Sequence, residues 1–483
     1  MHLLGVIDFQ TKDYQSAADW LDQAIKINPN NAFFHCNHAH ALSKLGQPED
    51  AIEAFNKALA INLNFAEAYS SRGDAFMAIK QFDAAVESFE RAVAIDPSRA
   101  EVFSHLGVAL AEIYKIDAAI ESFNRALAIN PNFTGALLNR GKALGEQLKL
   151  EAAIESIDRA IAISPNLPEG PYSKSLLLLQ RGDYEQGWAV HEGRWETPSM
   201  KIGIRNFTQP QWSGKESLFG KTILLNGEQG FGDVMQFCRY AKLVSDLGAN
   251  VILEGYEALV VLLRTLDGVS DVIIRGKPLP PFDYYCPLMS LPFAFKTRVS
   301  TIPFSQGYLH SDPAKVAFWK HRLGNRTKPL VGIVWQCGKM RDRKRSIPLS
   351  VMMAQLPKDF QYISLQREVT EEDRKTLQAN PDILHLGDEL KDFSETAALC
   401  MLMDLVISVD TSVVHLCGAL GKPTWVLVAY CPDWRWLLGR DDSPWYDSIK
   451  LYRQDVPGDW TSVFANVSSD LAKRYNTSGG NHA

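Results

Sequence analysis

The sequence lacks the patterns that would tie it to a membrane, to zinc or to nucleic acid. None of its apolar runs reaches the ~18 residues a membrane-spanning helix needs. The opening stretch, MHLLGVIDFQTKDY, has neither a basic start nor a sustained apolar segment, so a secretory signal is not expected. The seven cysteines (Cys36, Cys238, Cys286, Cys337, Cys400, Cys417 and Cys431) are scattered and odd in number, and no two form a Cys-x-x-Cys pair. That gives no zinc signature and fits reduced thiols in a cytoplasm. Positive charge is not in excess: 50 Lys and Arg stand against 56 Asp and Glu, a net charge of −6. A general nucleic-acid or anionic-membrane binder is therefore not expected. No Asp-x-Asp metal motif closes a strand, although Asp441-Asp442 occurs in a loop, and nothing suggests the paired carboxylates of a glycosidase. What is there is ordinary globular composition, 46% hydrophobic and 22% charged over 483 residues. That length suits two or three domains.

The first two-fifths of the chain repeats itself. The phrases IKINPN, LAINLN, VAIDPS, LAINPN and IAISPN place Pro29, Leu63, Pro97, Pro131 and Pro165 at steps of 34 residues. The same step links Ala17, Ala51, Ala85, Ala119 and Ala153; Ala24, Ala58, Ala92, Ala126 and Ala160; and Gly5, Ala39, Gly73, Gly107 and Gly141. Small residues in these columns let two helices approach closely, and Phe55, Phe89 and Phe123 supply the bulky partners. Proline stops the second helix because it cannot continue the hydrogen-bond ladder. The pattern resembles the tetratricopeptide repeat. That resemblance implies a helical solenoid whose concave face takes a protein partner. Asn37, Arg72, Asn139 and Arg140 on the first helices would suit an extended peptide. A divergent sixth unit, about Leu167 to Met200, carries Tyr184, Gly187, Trp188 and Trp195 and reads as a junction.

After Pro198 the period changes. KTILLNGEQGFGD, the helix-like QFCRYAKLVSDLG, ANVILEG and VSDVIIRG alternate strand and helix. A proline-rich passage and a linker run to about Lys328. The alternation then restarts with PLVGIVWQ, FQYISLQ, ILHLG, DLVISVD and KPTWVLVA. Strand, helix, strand at this spacing predicts parallel, doubly wound sheets. Two such Rossmann-like halves leave a cleft, and ligands of open α/β sheets sit beyond the carboxyl ends of the strands.

Three strand ends carry candidate chemistry. The first is Gly227-Glu228-Gln229-Gly230-Phe231-Gly232-Asp233 after TILLN, where glycines allow a tight turn and Asp233 opens a helix. The second is Asp410-Thr411-Ser412-Val413-Val414-His415, a strand end followed by a helix start with hydroxyls in its first turn, suited to phosphate. The third is Gln336-Cys337-Gly338 followed by Lys339, Arg341, Arg343, Lys344 and Arg345, five cations in seven residues of an acidic chain. Such cations can neutralise a diphosphate.

The Gly232-Asp233 pair and the Asp410-Thr411-x-x-x-His415 run resemble the ADP-heptose:lipopolysaccharide heptosyltransferase family, over about Lys221 to Asp470. Ser412 departs from that family's usual glycine. The resemblance implies two facing halves of glycosyltransferase-B architecture, with Asp233 as the base that deprotonates an acceptor hydroxyl. Capping of its own helix is the other role open to Asp233. It also implies a donor side formed by Gln336, Lys339, Arg345, Gln366, Asp410, Thr411, Ser412 and His415. His415 reaches either a ligand or a core partner. Glu228, Gln229 and Gly230, with Trp434 and Arg435 of the Asp433-Trp434-Arg435-Trp436 passage, are candidates for acceptor or sugar contacts, aromatic faces being able to stack on sugars. Asp392 and Glu395 fit ribose contacts or helix caps.

The expected class is thus α + α/β: a tetratricopeptide-repeat α-solenoid of about six repeats (residues 1–200), an acceptor-side half (201–320), a nucleotide-sugar half (321–470) and a flexible tail (471–483). The expected activity is metal-independent transfer of a sugar from a nucleotide diphosphate donor to a glycan or protein hydroxyl, with no cofactor or metal. An array joined to this fold is also similar to protein O-linked N-acetylglucosamine transferase, which would make Ser or Thr the acceptor. A non-catalytic repeat scaffold is the third reading.

Overall fold

A computed structural model describes residues 1–201, 205, 207–325, 327–338 and 344–476, and divides the chain into two compact units, Met1–Lys174 and Ser175–Ala483.

The first unit is a run of antiparallel helix pairs, from His2–Gln10 with Tyr14–Ile27 to Thr134–Glu146 with Leu150–Ile163. The small columns do what their spacing predicts. A Cβ at Gly73 would lie 2.6 Å from the Phe89 ring, and one at Gly107 2.6 Å from Phe123. A small residue, glycine or Ala39, therefore sets how closely each first helix lies on its second, and the fully buried Phe55, Phe89 and Phe123 fill the space behind. Arg72 and Arg140 have a different task from the expected peptide contacts. Arg72 donates to Ser88 Oγ (3.2 Å) and Asn56 Oδ1 (2.8 Å). Arg140 repeats the arrangement with Ser156 (3.1 Å) and Asn124 (3.3 Å). Each arginine thereby ties its own hairpin to the one before.

The turns inside the hairpins obey a column that the sequence reading did not use. Lys12, Gly46, Lys80, Tyr114 and Leu148, again 34 apart, all have left-handed backbones, with φ of 66°, 76°, 59°, 62° and 59°. Only one of the five is glycine, so four side chains carry the steric cost of that conformation.

The second unit holds two all-parallel sheets. The four-stranded sheet has the order β3-β2-β1-β4, with β1 Thr222–Asn226, β2 Asn250–Gly255, β3 Asp271–Ile274 and β4 Tyr284–Pro287. The six-stranded sheet has the order β10-β9-β8-β5-β6-β7, with β5 Leu330–Val334, β6 Gln361–Ser364, β7 Ile383–His385, β8 Leu405–Val409, β9 Thr424–Val428 and β10 Ile449–Arg453. Every residue of β5, β8 and β9 is buried, as continuous apolar runs must be when helices cover both faces of a parallel sheet. In the second sheet the chain runs outward through β5, β6 and β7, then returns to start again at β8. The strand order reverses between β5 and β8, the kind of switch point that opens a ligand crevice.

Several boundaries differ from the sequence expectation. The divide falls at Lys174/Ser175 rather than near residue 200, because Tyr184 and Trp188 are buried in the same apolar core as both sheets. Strand β4 lies in the proline-rich passage; as an edge strand it tolerates Pro287, which has no N–H to donate. The supposed linker contains the helix Pro313–Leu323, capped by Asp312. Leu471, placed in the tail, is fully buried on the helix Thr461–Asn476. The rest of that tail, 477–483, lies outside the described residues.

Replacing Lys80 by glycine removes the left-handed penalty at a cost in unfolded-chain entropy. The expected net is stabilisation of the repeat unit by about 0.5–1 kcal/mol, read as a higher urea midpoint in equilibrium unfolding.

Candidate functional site

Three strand ends of the second unit converge. After β1 ends at Asn226, the loop Gly227–Gly230 leads into the helix Phe231–Phe237, which carries Asp233 in its first turn. After β8 the chain turns at Asp410, and Thr411 precedes the helix Ser412–Ala419. After β5 come Gln336, Cys337 and Gly338. Gly232 is required where the first two helices meet. A Cβ there would stand 2.7 Å from His415 Cδ2.

These ends enclose a cavity of about 500 Å³. Its walls include Gln229, Gly230, Phe231, Gly232 and Asp233 from the first half. The second half contributes Gln336, Arg345, Gln366, Asp410, Thr411, Ser412, His415 and Arg435. Asp233 and the 410–412 turn thus face one space. Gln366 Oε1 accepts the backbone N–H of Gln336 (3.2 Å), fixing two neighbouring wall residues. The Thr411 hydroxyl stands 3.2 Å from Ser408 Oγ and does not cap its helix.

Arg435, on the turn Trp434–Trp436 after β9, is the most connected side chain of this wall. Its guanidinium donates to Asp433 Oδ1 (2.9 Å) and, through Nε, to Gln236 Oε1 (2.6 Å), and it forms an ion pair with Asp233. Asp233 and Gln236 belong to the first half, Asp433 and Arg435 to the second, so one cation links the two.

The electrostatics follow from burial and these partners. Burial raises the Asp233 carboxyl above its ordinary range, against the pull of Arg435. Burial and then the charge of Asp433 push Asp410 up to about 6, although Arg345 Nη1 lies 3.4 Å from its Oδ2. At Asp433 burial acts upward, but the charge and hydrogen bonds of Arg435 outweigh it, and the carboxyl is held low. Burial and then Arg435 hold His415 down to about 3. Its imidazole is therefore neutral at pH 7, with Nδ1 3.0 Å from the Tyr446 hydroxyl and the ring stacked on Trp436 at 5.7 Å. His415 both lines the cavity and has a core partner.

Glu228, Trp434 and Glu395 have their partners away from the cavity. Glu228 does not face the cavity: it is buried against Arg194, whose Nη2 lies 2.9 Å from Oε2, and it accepts the Met289 N–H at 3.1 Å. A carboxylate engaged in this way holds the loop rather than a ligand. Trp434 is buried among Tyr184, Trp188 and Phe237, leaving no face for a sugar. Lys339 lies outside the described residues, as do Arg341 and Arg343. Asp392 caps the helix Phe393–Leu402 through the Ser394 and Glu395 N–H groups, while keeping a place on the cavity wall. Glu395 is taken by Lys315 (2.8 Å) and Trp319 Nε1 (2.8 Å).

Sequence reasoning passed over Asp433, Gln236 and the aromatic pair Phe231–Phe393, whose rings meet across the two halves at 5.2 Å. Gln236 stands three residues after Asp233, one helical turn away, and that spacing was available as a signal. The pairing of Asp433 with Arg435 depends on a short 3₁₀ turn and had none. Among the described residues, no group of three or more His, Cys, Asp or Glu side chains is arranged to hold a metal ion. Nor is any helix among them long and apolar enough to cross a membrane.

With this geometry in view, the class is a tetratricopeptide-repeat array followed by a two-sheet α/β unit. The tetratricopeptide repeat family matches residues 1–31, 36–100 and 106–168. Protein FlbA of Caulobacter vibrioides is 26% identical over 335 residues, which is 62% of this chain and 54% of FlbA. The chain thus spans about half the length of that curated relative. The aligned stretch is longer than the repeats, so the likeness continues into the α/β unit. The human small glutamine-rich tetratricopeptide repeat-containing protein beta is 50% identical over 42 residues, 9% of this chain and 14% of that protein. Among solved structures, MamA is 25% identical, with 34% of this chain and 95% of MamA covered and a TM-score of 0.33. YrrB, described as a repeat protein with an unusual peptide-binding site, is 22% identical, with 38% and 96% covered and a TM-score of 0.34.

Asp410 supplies a pH signature. Unfolded, it titrates near 3.8; folded, near 6. Between those values the folded chain holds a proton that the unfolded chain has released, so this stabilising contribution is full below the lower value. It is lost as pH rises through the upper one. From pH 4 to 7, the stability of Asp410→Asn relative to the parent should move in the variant's favour by about 1–3 kcal/mol, measured by urea unfolding at each pH.

Proposed function

We propose that the second unit is a sugar transferase that uses a nucleotide diphosphate donor, and that the repeats recruit its acceptor or a protein partner. The observation that carries this reading is the shared cavity: a carboxylate on one half, Asp233, opposite a strand-to-helix turn, Asp410–Ser412, on the other. Gln336 and Gln366 beside that turn suit the polar groups of a nucleoside. Thr411, Ser412 and Arg345 suit the phosphates, which leave as a charged group and gain from donors already in place. Asp233 takes the proton of the acceptor hydroxyl as its oxygen attacks the anomeric carbon. Peptide or glycan acceptors both satisfy this chemistry, and tetratricopeptide repeats, as protein-interaction modules, favour a polypeptide or a protein-borne acceptor.

A scaffold without catalysis is the second reading, favoured by one observation: Asp233 is already paired with Arg435. The two readings part on binding and turnover. ADP, UDP, GDP and CDP are screened by thermal shift, and the nucleotide sugars of any that bind are then tested for transfer. At least one nucleoside diphosphate should raise the melting temperature. Asp233→Asn should lower kcat by about 10²–10⁴-fold without abolishing nucleotide binding. A parent protein that binds none of them and transfers no sugar is a scaffold.

A further inference from the structure

Arg435 is held at a junction of competing anions. Its side chain is 9% exposed, yet it lines the cavity. Its two terminal nitrogens go to carboxylates, Asp233 through Nη2 and Asp433 through Nη1, while Nε goes to Gln236. Asp433 is the local partner: it is two residues away and also accepts the Arg435 backbone N–H at 3.0 Å, so it moves with the same turn. Asp233 is the distant partner, reached across the cleft from the first half. It is also the more exposed of the two termini of that ion pair, at 20%. Burial raises this carboxyl, but the cation pulls against that rise and occupies one of its oxygens, so Asp233 is a weaker base with Arg435 in place than it would be without it. Thr411 and Ser412 line the same cavity.

We propose that Arg435 exchanges partners: it holds Asp233 in the free protein and passes to the diphosphate of the bound donor, which frees Asp233 to accept the acceptor's proton. This rests on the transferase reading and deepens it, making the donor the first substrate to bind. In the reacting complex the acceptor O–H bond breaks and its proton goes to an Asp233 oxygen. The acceptor oxygen bonds to the anomeric carbon. The bond from that carbon to the phosphate oxygen breaks, and its electron pair leaves on the nucleoside diphosphate, held by Arg435. Asp433 and Gln236 keep the guanidinium placed throughout.

The exchange makes an unusual prediction for Asp233→Asn. If Asp233 competes with phosphate for Arg435, its neutral replacement should bind a nucleoside diphosphate more tightly than the parent. The gain should be about tenfold, the size of one charge-assisted hydrogen bond no longer contested. Asp392→Asn is the control, since Asp392 lines the same cavity, has no bond to Arg435, and is replaced by an equally good cap. Isothermal titration with ADP, UDP, GDP, CDP and pyrophosphate is run on the full chain, with circular dichroism to verify folding. Tightening in Asp233→Asn well beyond that in Asp392→Asn supports the exchange. Equal effects in both variants reduce it to general charge repulsion and overturn it, as does unchanged or weaker binding in Asp233→Asn. If the parent binds no probe, the transferase reading falls as well. If it binds, and Asp233→Asn loses transfer without tightening, the base survives and the exchange alone fails.

Discussion

The α/β unit depends on a single buried guanidinium placed among carboxylates. Arg435 joins Asp433 of its own half to Asp233 and Gln236 of the other, and it does so where water is scarce. Removing one partner from a buried pair leaves an uncompensated charge, at a cost of about 3–5 kcal/mol. The cluster therefore ties the two halves together at their cleft. Gly232 and His415 meet beside it, and a Cβ at 232 would stand 2.7 Å from His415 Cδ2. Arg194 acts in the same manner one step back: buried against Glu228, Glu192 and Ser290, it anchors the loop from which Gln229 and Gly230 project.

The fold was legible wherever a period or a continuous apolar run existed. The 34-residue columns placed the helix pairs because each small residue answers to a bulky one at a fixed offset, and Gly107 against Phe123 is the direct expression of that pattern. Eight of the ten strands lie in the segments marked by their apolar runs. The two that were missed, β4 (YYCP) and β10 (IKLYR), lie at sheet edges and carry short segments in which polar or aromatic residues interrupt the apolar run. The junction was misjudged for a related reason. Tyr184 and Trp188 continue the repeat in spacing, but their rings are buried in the sheet core, and a spacing argument cannot say which neighbour a side chain packs against.

Strand ends were legible as places, while individual contacts were not. The rule that ligands gather beyond the carboxyl ends of parallel strands brought Asp233, Gln336 and Asp410 to one cavity. It could not tell Glu228, turned inward to Arg194, from Gln229, turned to the cavity, because adjacent loop residues differ only in tertiary partners. Trp434 failed in the same way: an aromatic residue suits a sugar or a core equally well until its surroundings are known.

The charge balance of the cavity bears directly on the proposed diphosphate. Among the described wall residues, Asp233, Asp392, Asp410 and Asp433 face Arg345, Arg367 and Arg435. An entering diphosphate therefore meets carboxylates as well as cations. Under the proposed reading, two adjustments would lower that cost. Arg435 can leave Asp233, and Asp410, whose proton is held up to about 6 by burial and Asp433, can take up a proton and become a donor to phosphate. Under the proposed reading, anion binding, the protonation of Asp410 and the release of Asp233 would be linked through one electrostatic cluster.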